Sequence, residues 1–250
     1  MDNVRFDRHR PYEGRHRIFI LRRVDLASNE AANSLLKTLE EPPAGVVIVL
    51  LTTNEDRLLP TIVSRCQRVE LLQVPPRAIE EELIENRGVE PERARLLSRV
   101  CRGGIGWAIS AALDPSILDD RASRLAGLQD LAGASLDARF DFAAKLATQF
   151  GKDRDSAEET LDLWLEWWRD LMLVKAGCPD LITNIDRETA LEQQADNYSL
   201  SEIRRFMEAI RAALDHLGQN ANARLALEVL MLSVPDAGEE RSRRAQALPQ

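Results

Sequence analysis

The chain has 250 residues, 44% hydrophobic and 30% charged, a composition that builds buried cores rather than a disordered coil and a length that suits one or two domains. It carries 33 Lys and Arg against 41 Asp and Glu, a formal charge of −8, so its surface as a whole is not built to bind nucleic acid, because phosphate contact needs a clustered positive field. No apolar run approaches the roughly 20 residues that cross a bilayer, and the opening MDNVRFDRHR has no signal-peptide segment; a cytoplasmic protein without a membrane partner is expected.

In chain order, a basic start comes first. Seven arginines (Arg5, Arg8, Arg10, Arg15, Arg17, Arg22 and Arg23) face only Asp2, Asp7 and Glu13 before residue 24, a pattern that suits either a solvated surface or contact with phosphate or an acidic partner. RIFIL at 17–21 and VVIVLL at 46–51 are unbroken, β-branched apolar runs, which predict parallel strands covered on both faces. Between them Ser28 is a candidate N-cap, Ala32, Leu35, Leu36 and Leu39 recur at helical spacing, and Pro42-Pro43 ends the run. The reading is a βαβ unit. Pro60 then opens a short helical turn, and RVELL at 68–72 predicts a third strand.

After Pro75-Pro76 the strand signals cease. Helical patterns over 80–85, 91–100 and 106–113 make a small module, and six more follow over 117–131, 136–150, 156–175, 187–196, 201–217 and 221–232. Leu161, Trp164, Leu165, Trp168, Leu171 and Met172 form one stripe at three-and-four spacing, which predicts core rather than a cofactor pocket, and Ser199 with Glu202 fits a capping box. From Pro235 onward apolar periodicity stops and a mobile tail is expected.

The motifs that hold nucleotide phosphates, Gly-x-x-x-x-Gly-Lys-Ser/Thr and Gly-x-Gly-x-x-Gly, are absent from the sequence, and Gly103-Gly104-Ile105-Gly106 follows a helical pattern rather than a strand. No cofactor is implied. Cys66, Cys101 and Cys178 are too far apart for zinc-ligand spacing and His9, His16 and His216 are scattered, so no metal is expected. The first strand ends in Arg22 and Arg23, where a phosphate-loop nucleotidase needs carboxylates to hold magnesium; a guanidinium can neither ligate the metal nor accept a proton. Ser64-Arg65-Cys66 leaves two readings open. Arg65 is either a solvated surface residue or a fixed, non-titrating charge held out toward a neighbouring protomer's phosphate.

RPYEGR at 10–15, the strand at 17–21, NSLLKTLEEPP at 33–43, LTTN at 51–54 and TIVSRCQR at 61–68 together resemble the bacterial clamp-loader subunits of DNA polymerase III, closely over 10–72 and more weakly beyond. The resemblance implies an α/β plus all-α chain: an incomplete parallel-sheet domain of the AAA+, phosphate-loop type over 1–73, a helical lid over 74–114, a helical collar over 115–234 and a tail over 235–250. Of the two branches, Arg22 and Arg23 as a degenerate Walker B and Trp107 in place of a sensor 2 arginine favour the non-catalytic stator, delta prime, over the motor, gamma/tau. Arg65 would then be a trans-acting arginine finger fixed by Ser64 and Cys66, with Thr53 at a sensor-like position. The implied partners are the gamma/tau and delta subunits and, through the complex, the sliding clamp and primed DNA. The alternatives are an active gamma/tau-type ATPase and a helical interaction scaffold with an idle AAA+ remnant. The family's phosphate-loop strand has no counterpart in the sequence, so a truncated product, a miscalled start or a fragment with an uncovered strand edge is expected.

Overall fold

A computed structural model describes residues 16–219 and 221–235. Arg5, Arg8, Arg10 and Arg15, the RPYEGR segment and residues 236–250, which include most of the expected tail, lie outside the described residues. The chain divides into two compact units between Leu71 and Leu72.

The N-terminal unit runs β1 (Arg17–Leu21), α1 (Asn29–Glu40), β2 (Val46–Leu50) and α2 (Pro60–Val63), with 3-10 turns at Val24–Leu26 and Glu55–Arg57. The Ser28 hydroxyl accepts from Ala31 N at 3.2 Å and so caps α1. After Pro42-Pro43, Gly45 takes a φ of 76°, a conformation that favours glycine, and turns the chain into β2. The two strands pair in parallel, Arg17 opposite Val46 through Leu21 opposite Leu50. This is the expected βαβ unit with a smaller sheet.

Two expectations fail here. Ile18 and Ile20 are 64% and 61% exposed, and Val47 and Val49 beside them also face outward, so the sheet is covered on one face only. An apolar run reports hydrophobicity on both faces of a strand, not the presence of a layer over each. The segment 68–72 forms no strand either: its backbone joins no ladder, and Val69, Leu71 and Leu72 are 73–85% exposed. Alternation and β-branching suit a pleated surface, but a strand exists only where a neighbouring edge takes up its hydrogen bonds.

The second unit is helical throughout. Helices α3 (Pro76–Glu85), α4 (Pro91–Val100) and α5 (Ile105–Leu113) close on a small core of Ile79, Leu83, Ala94, Leu97, Cys101, Ala108 and Ala111. Proline opens α3 and α4, where a missing N–H costs nothing. Gly103, at a φ of 81°, brings its backbone against the chain entering α3: Val74 N donates to Gly103 O at 3.3 Å, and a Cβ at Gly103 would lie 2.6 Å from that of Gln73. No other residue type fits there.

Helices α6 (Ser116–Asp130), α7 (Leu136–Lys152), α8 (Arg154–Lys175), α9 (Glu188–Ala195), α10 (Leu200–Gly218) and α11 (Ala223–Leu232) surround the larger core. The α8 stripe supplies its centre. Trp164 and Trp168 meet the Phe206 ring edge-on at 4.9 and 4.7 Å, a geometry that adds to plain burial. Trp167, which the stripe did not include, is equally buried and donates from Nε1 to Gln194 Oε1 at 2.8 Å. The Ser199 and Glu202 capping box forms as the spacing predicts. Two buried charges are tied internally. Asp170 accepts from Thr183 N, Asn184 N and Asn184 Nδ2 at 2.7–2.9 Å, and Arg139 donates to the carbonyls of Leu131, Ala132 and Val234 at 3.1–3.2 Å. Among the described residues no helix is long and apolar enough to cross a membrane.

Candidate functional site

Arg65 sits where α2 ends. That helix is short: Pro60 opens it, Ile62, 2% exposed, anchors it, and the turn runs on through Ser64 N to Pro60 O (3.0 Å), Arg65 N to Ile62 O (3.0 Å) and Cys66 N to Val63 O (3.2 Å). The Arg65 guanidinium is gripped from two sides. Its Nη1 donates to Thr61 O at 2.9 Å and, more weakly, to Ser64 Oγ at 3.4 Å, while Nη2 donates to Glu40 Oε1 at 2.6 Å. Ser64 Oγ itself donates to Thr61 O at 3.2 Å. The side chain is about a third exposed, at 35%. The guanidinium is thus hydrogen-bonded on its own unit with one flank exposed. Cys66 is half-buried, and burial pushes its thiol pKa up, so it stays a protonated packing residue rather than a nucleophile.

Just past β1, Arg22 is exposed and Arg23 takes a left-handed φ of 54°, uncommon for a residue with a Cβ, as the chain leaves the strand for the 3-10 turn. The carboxylate near this strand end belongs to Asp25. Thr52 Oγ1 donates to Asp25 Oδ1 at 3.0 Å, and Asn54 N donates back to Thr52 Oγ1 at 3.0 Å. Thr53, the sensor-like position, is exposed beside them. The Asp25 and Thr52 pair was missed by the sequence reading; the only signal was a polar residue just beyond each strand of one βαβ unit.

Trp107 lies in the helical unit, on the first turn of α5, and lines a cavity of about 410 Å³ with Arg102, Arg121, Arg124, Asp162 and Glu166. Two of the charges lining this cavity have these partners. Glu166 of α8 meets Arg102, itself at a φ of 50°, and Arg121 meets Asn184 and, at 3.8 Å, Asp186. Burial pushes the Glu166 carboxyl up to about 7, against the pull of Arg102 and Arg121, and raises Asp162 in the same way. Burial lowers the pKa of Arg121, with Asp186 opposing. Among the described residues no group of three or more His, Cys, Asp or Glu could hold a metal ion.

Residues 4–75 match the family model described as DNA polymerase III, delta subunit. The chain is 30% identical to DNA polymerase III subunit delta' of Bacillus subtilis over 224 residues, 90% of this chain and 67% of that protein. The chain belongs to the DNA polymerase III delta prime family of clamp-loader subunits. Subunit gamma/tau of Mycobacterium tuberculosis is 29% identical over 93% of this chain, which spans only 44% of that longer protein. A solved DNA polymerase III gamma subunit-related protein from Thermotoga maritima aligns over 90% of this chain and 73% of its own at 21% identity, with a TM-score of 0.35, too loose a superposition to bear on the fold.

Within this clamp-loader chain, the N-terminal unit brings Ser64, Arg65 and Cys66 together at one corner with Glu40, and Arg22, Arg23 and Thr53 near the ends of the two strands. Trp107 belongs to the helical unit and its charged cavity.

Proposed function

We propose that this chain is a non-catalytic stator of the bacterial clamp loader, working in the cytoplasm to support ATP-dependent loading of the sliding clamp onto primed DNA. Its partners in this reading are the gamma/tau and delta subunits. The observation that carries it is the Arg65 guanidinium, held at the end of a short anchored helix with part of its surface exposed. An arginine presented in this way can bring a permanent charge to the γ-phosphate of a nucleotide bound by a neighbouring subunit, where charge shifts as the bond breaks. Ser64 and Cys66 shape the helix end that holds it. Arg22 and Arg23 stand where hydrolysis in cis would call for carboxylates, Trp107 replaces a nucleotide-sensing arginine, and Thr53 follows the second strand at the sensor-like position. In the same reading, residues 74–114 act as a lid and residues 115–234 as a collar.

In a loader reconstituted with this chain, Arg65→Ala lowers ATP turnover at the site it faces by at least about tenfold, and by about 10³–10⁵ where the arginine acts at full strength, while the subunits stay assembled on gel filtration. Unchanged turnover in an intact complex sinks the finger assignment. The 29% identity to gamma/tau over 93% of the chain favours a second reading, an ATPase of that type. Magnesium-dependent binding of ATP by the isolated chain distinguishes it, since the stator reading expects none.

A further inference from the structure

Glu40 is the last residue of α1, 25 positions before Arg65, and its carboxylate takes the shortest bond the guanidinium makes, 2.6 Å from Nη2. Among the described residues Arg65 is otherwise tied only to its own turn, through Thr61 O at 2.9 Å and Ser64 Oγ at 3.4 Å. A guanidinium has five N–H donors. Those three bonds leave Nε–H and one Nη2 hydrogen for an outside oxyanion. Ties to the local turn alone would let the long side chain swing about its own helix end. The Glu40 bond fixes it against a second element, whose C-terminal carbonyls also favour a cation nearby.

We infer that Glu40 is the positioning residue of the Arg65 finger. It holds the guanidinium in one pose before a neighbour arrives and leaves two donors for that neighbour's phosphate. This inference rests on the finger reading proposed above. Glu40 contributes by pre-organisation: a flexible arginine must give up rotamer freedom on meeting a phosphate, and one already held gives up less. Glu40 is itself 51% exposed, so the effect has the modest size of an exposed ion pair.

The test uses the full chain, alone and in a reconstituted loader. With the chain labelled with ¹⁵N-arginine, rotation of the Arg65 Nη2 group about its bond to Cζ, read from the Nη–H resonances, is slow in the wild type and fast in Glu40→Ala. In the loader, Glu40→Ala lowers the maximal ATP turnover about two- to fivefold with little change in KM for ATP, Glu40→Gln falls between, and neither substitution alters turnover further once Arg65 is alanine. Glu40→Ala turnover equal to wild type, with Arg65→Ala still impaired, overturns the Glu40 inference and leaves the finger intact. An equal loss from Glu40→Ala in the Arg65→Ala background shows a structural role and overturns it as well. No effect of Arg65→Ala itself overturns the finger reading and the Glu40 inference together, while the Nη–H resonances still report whether the ion pair forms.

Discussion

Between residues 16 and 71, the buried apolar side chains are Ala32 and Ile62, while between 72 and 235 the buried set runs to dozens and includes Trp164 and Trp168, both packed against the Phe206 ring. The N-terminal unit is a thin layer: two strands with one open face, one amphipathic helix and a single turn of α2, organised as much by polar ties as by burial. The helical unit is a deep core in which charged residues such as Asp170 and Arg139 are fully engaged. In the proposed reading, the arginine offered to a partner therefore lies on the unit with the weaker core. Elements with few buried apolar contacts open at low free energy, so the held pose of Arg65 depends on bonds such as that to Glu40 rather than on packing alone.

The largest expected effect exploits a convenience of composition: Trp107, Trp164, Trp167 and Trp168 all lie in the helical unit, so indole fluorescence reports on that unit alone. Trp168→Ala removes a ring 1% exposed that touches Phe206 and Tyr198 and costs about 3–5 kcal/mol in a urea melt followed by fluorescence. Circular dichroism followed alongside reports both units. If the fluorescence midpoint and the whole circular dichroism signal shift together, the units unfold as one and the contrast between them collapses.

How much of this was legible in the sequence follows the same division. The helices could be read because Leu161, Trp164, Trp168 and Leu171 repeat at the helical period, while the caps Ser28 and Ser199 and the helix-opening Pro91 mark where helices begin. The sheet could be read only in part. RIFIL and VVIVL name strands, but nothing in them states whether a second layer exists, and RVELL at 68–72 has strand chemistry without a strand partner. Arg65 was visible as part of a motif. Glu40 was invisible as its partner, because an ion pair between the ends of two different elements is a tertiary fact with no spacing rule. The same holds for Arg102 with Glu166, 64 positions apart by number (166 − 102 = 64).

That pair gives the next prediction, confined to the helical unit. Glu166 titrates near 7 in the folded chain, above its ordinary value of 4.5, because burial outweighs the attraction of Arg102. Between those two pH values the folded state holds the proton more often than the unfolded state does. The associated stability is thus complete below pH 4.5 and is lost as pH rises through 7. Glu166→Gln removes the buried charge and keeps the shape. Its melting curve is raised relative to wild type at pH 8, on the order of 1–3 kcal/mol, and the difference shrinks toward zero at pH 5. A variant less stable than wild type at pH 8 shows that the Arg102 pair outweighs desolvation.

The smallest effect is expected on the open face of the sheet, where Ile20 of β1 is 61% exposed and lies opposite Val49 of β2 in the parallel ladder. Threonine keeps the branched Cβ that suits a strand and loses little burial there, so Ile20→Thr changes stability by less than about 0.5 kcal/mol. The measurement is the far-ultraviolet circular dichroism transition, since fluorescence does not report on this unit. Phe19, on the opposite face of the same strand, gives the control: its side is half-covered, so Phe19→Ala costs more than Ile20→Thr. If Ile20→Thr costs as much as Phe19→Ala, both faces of β1 are covered in solution and the N-terminal unit is no thinner than its sequence implied.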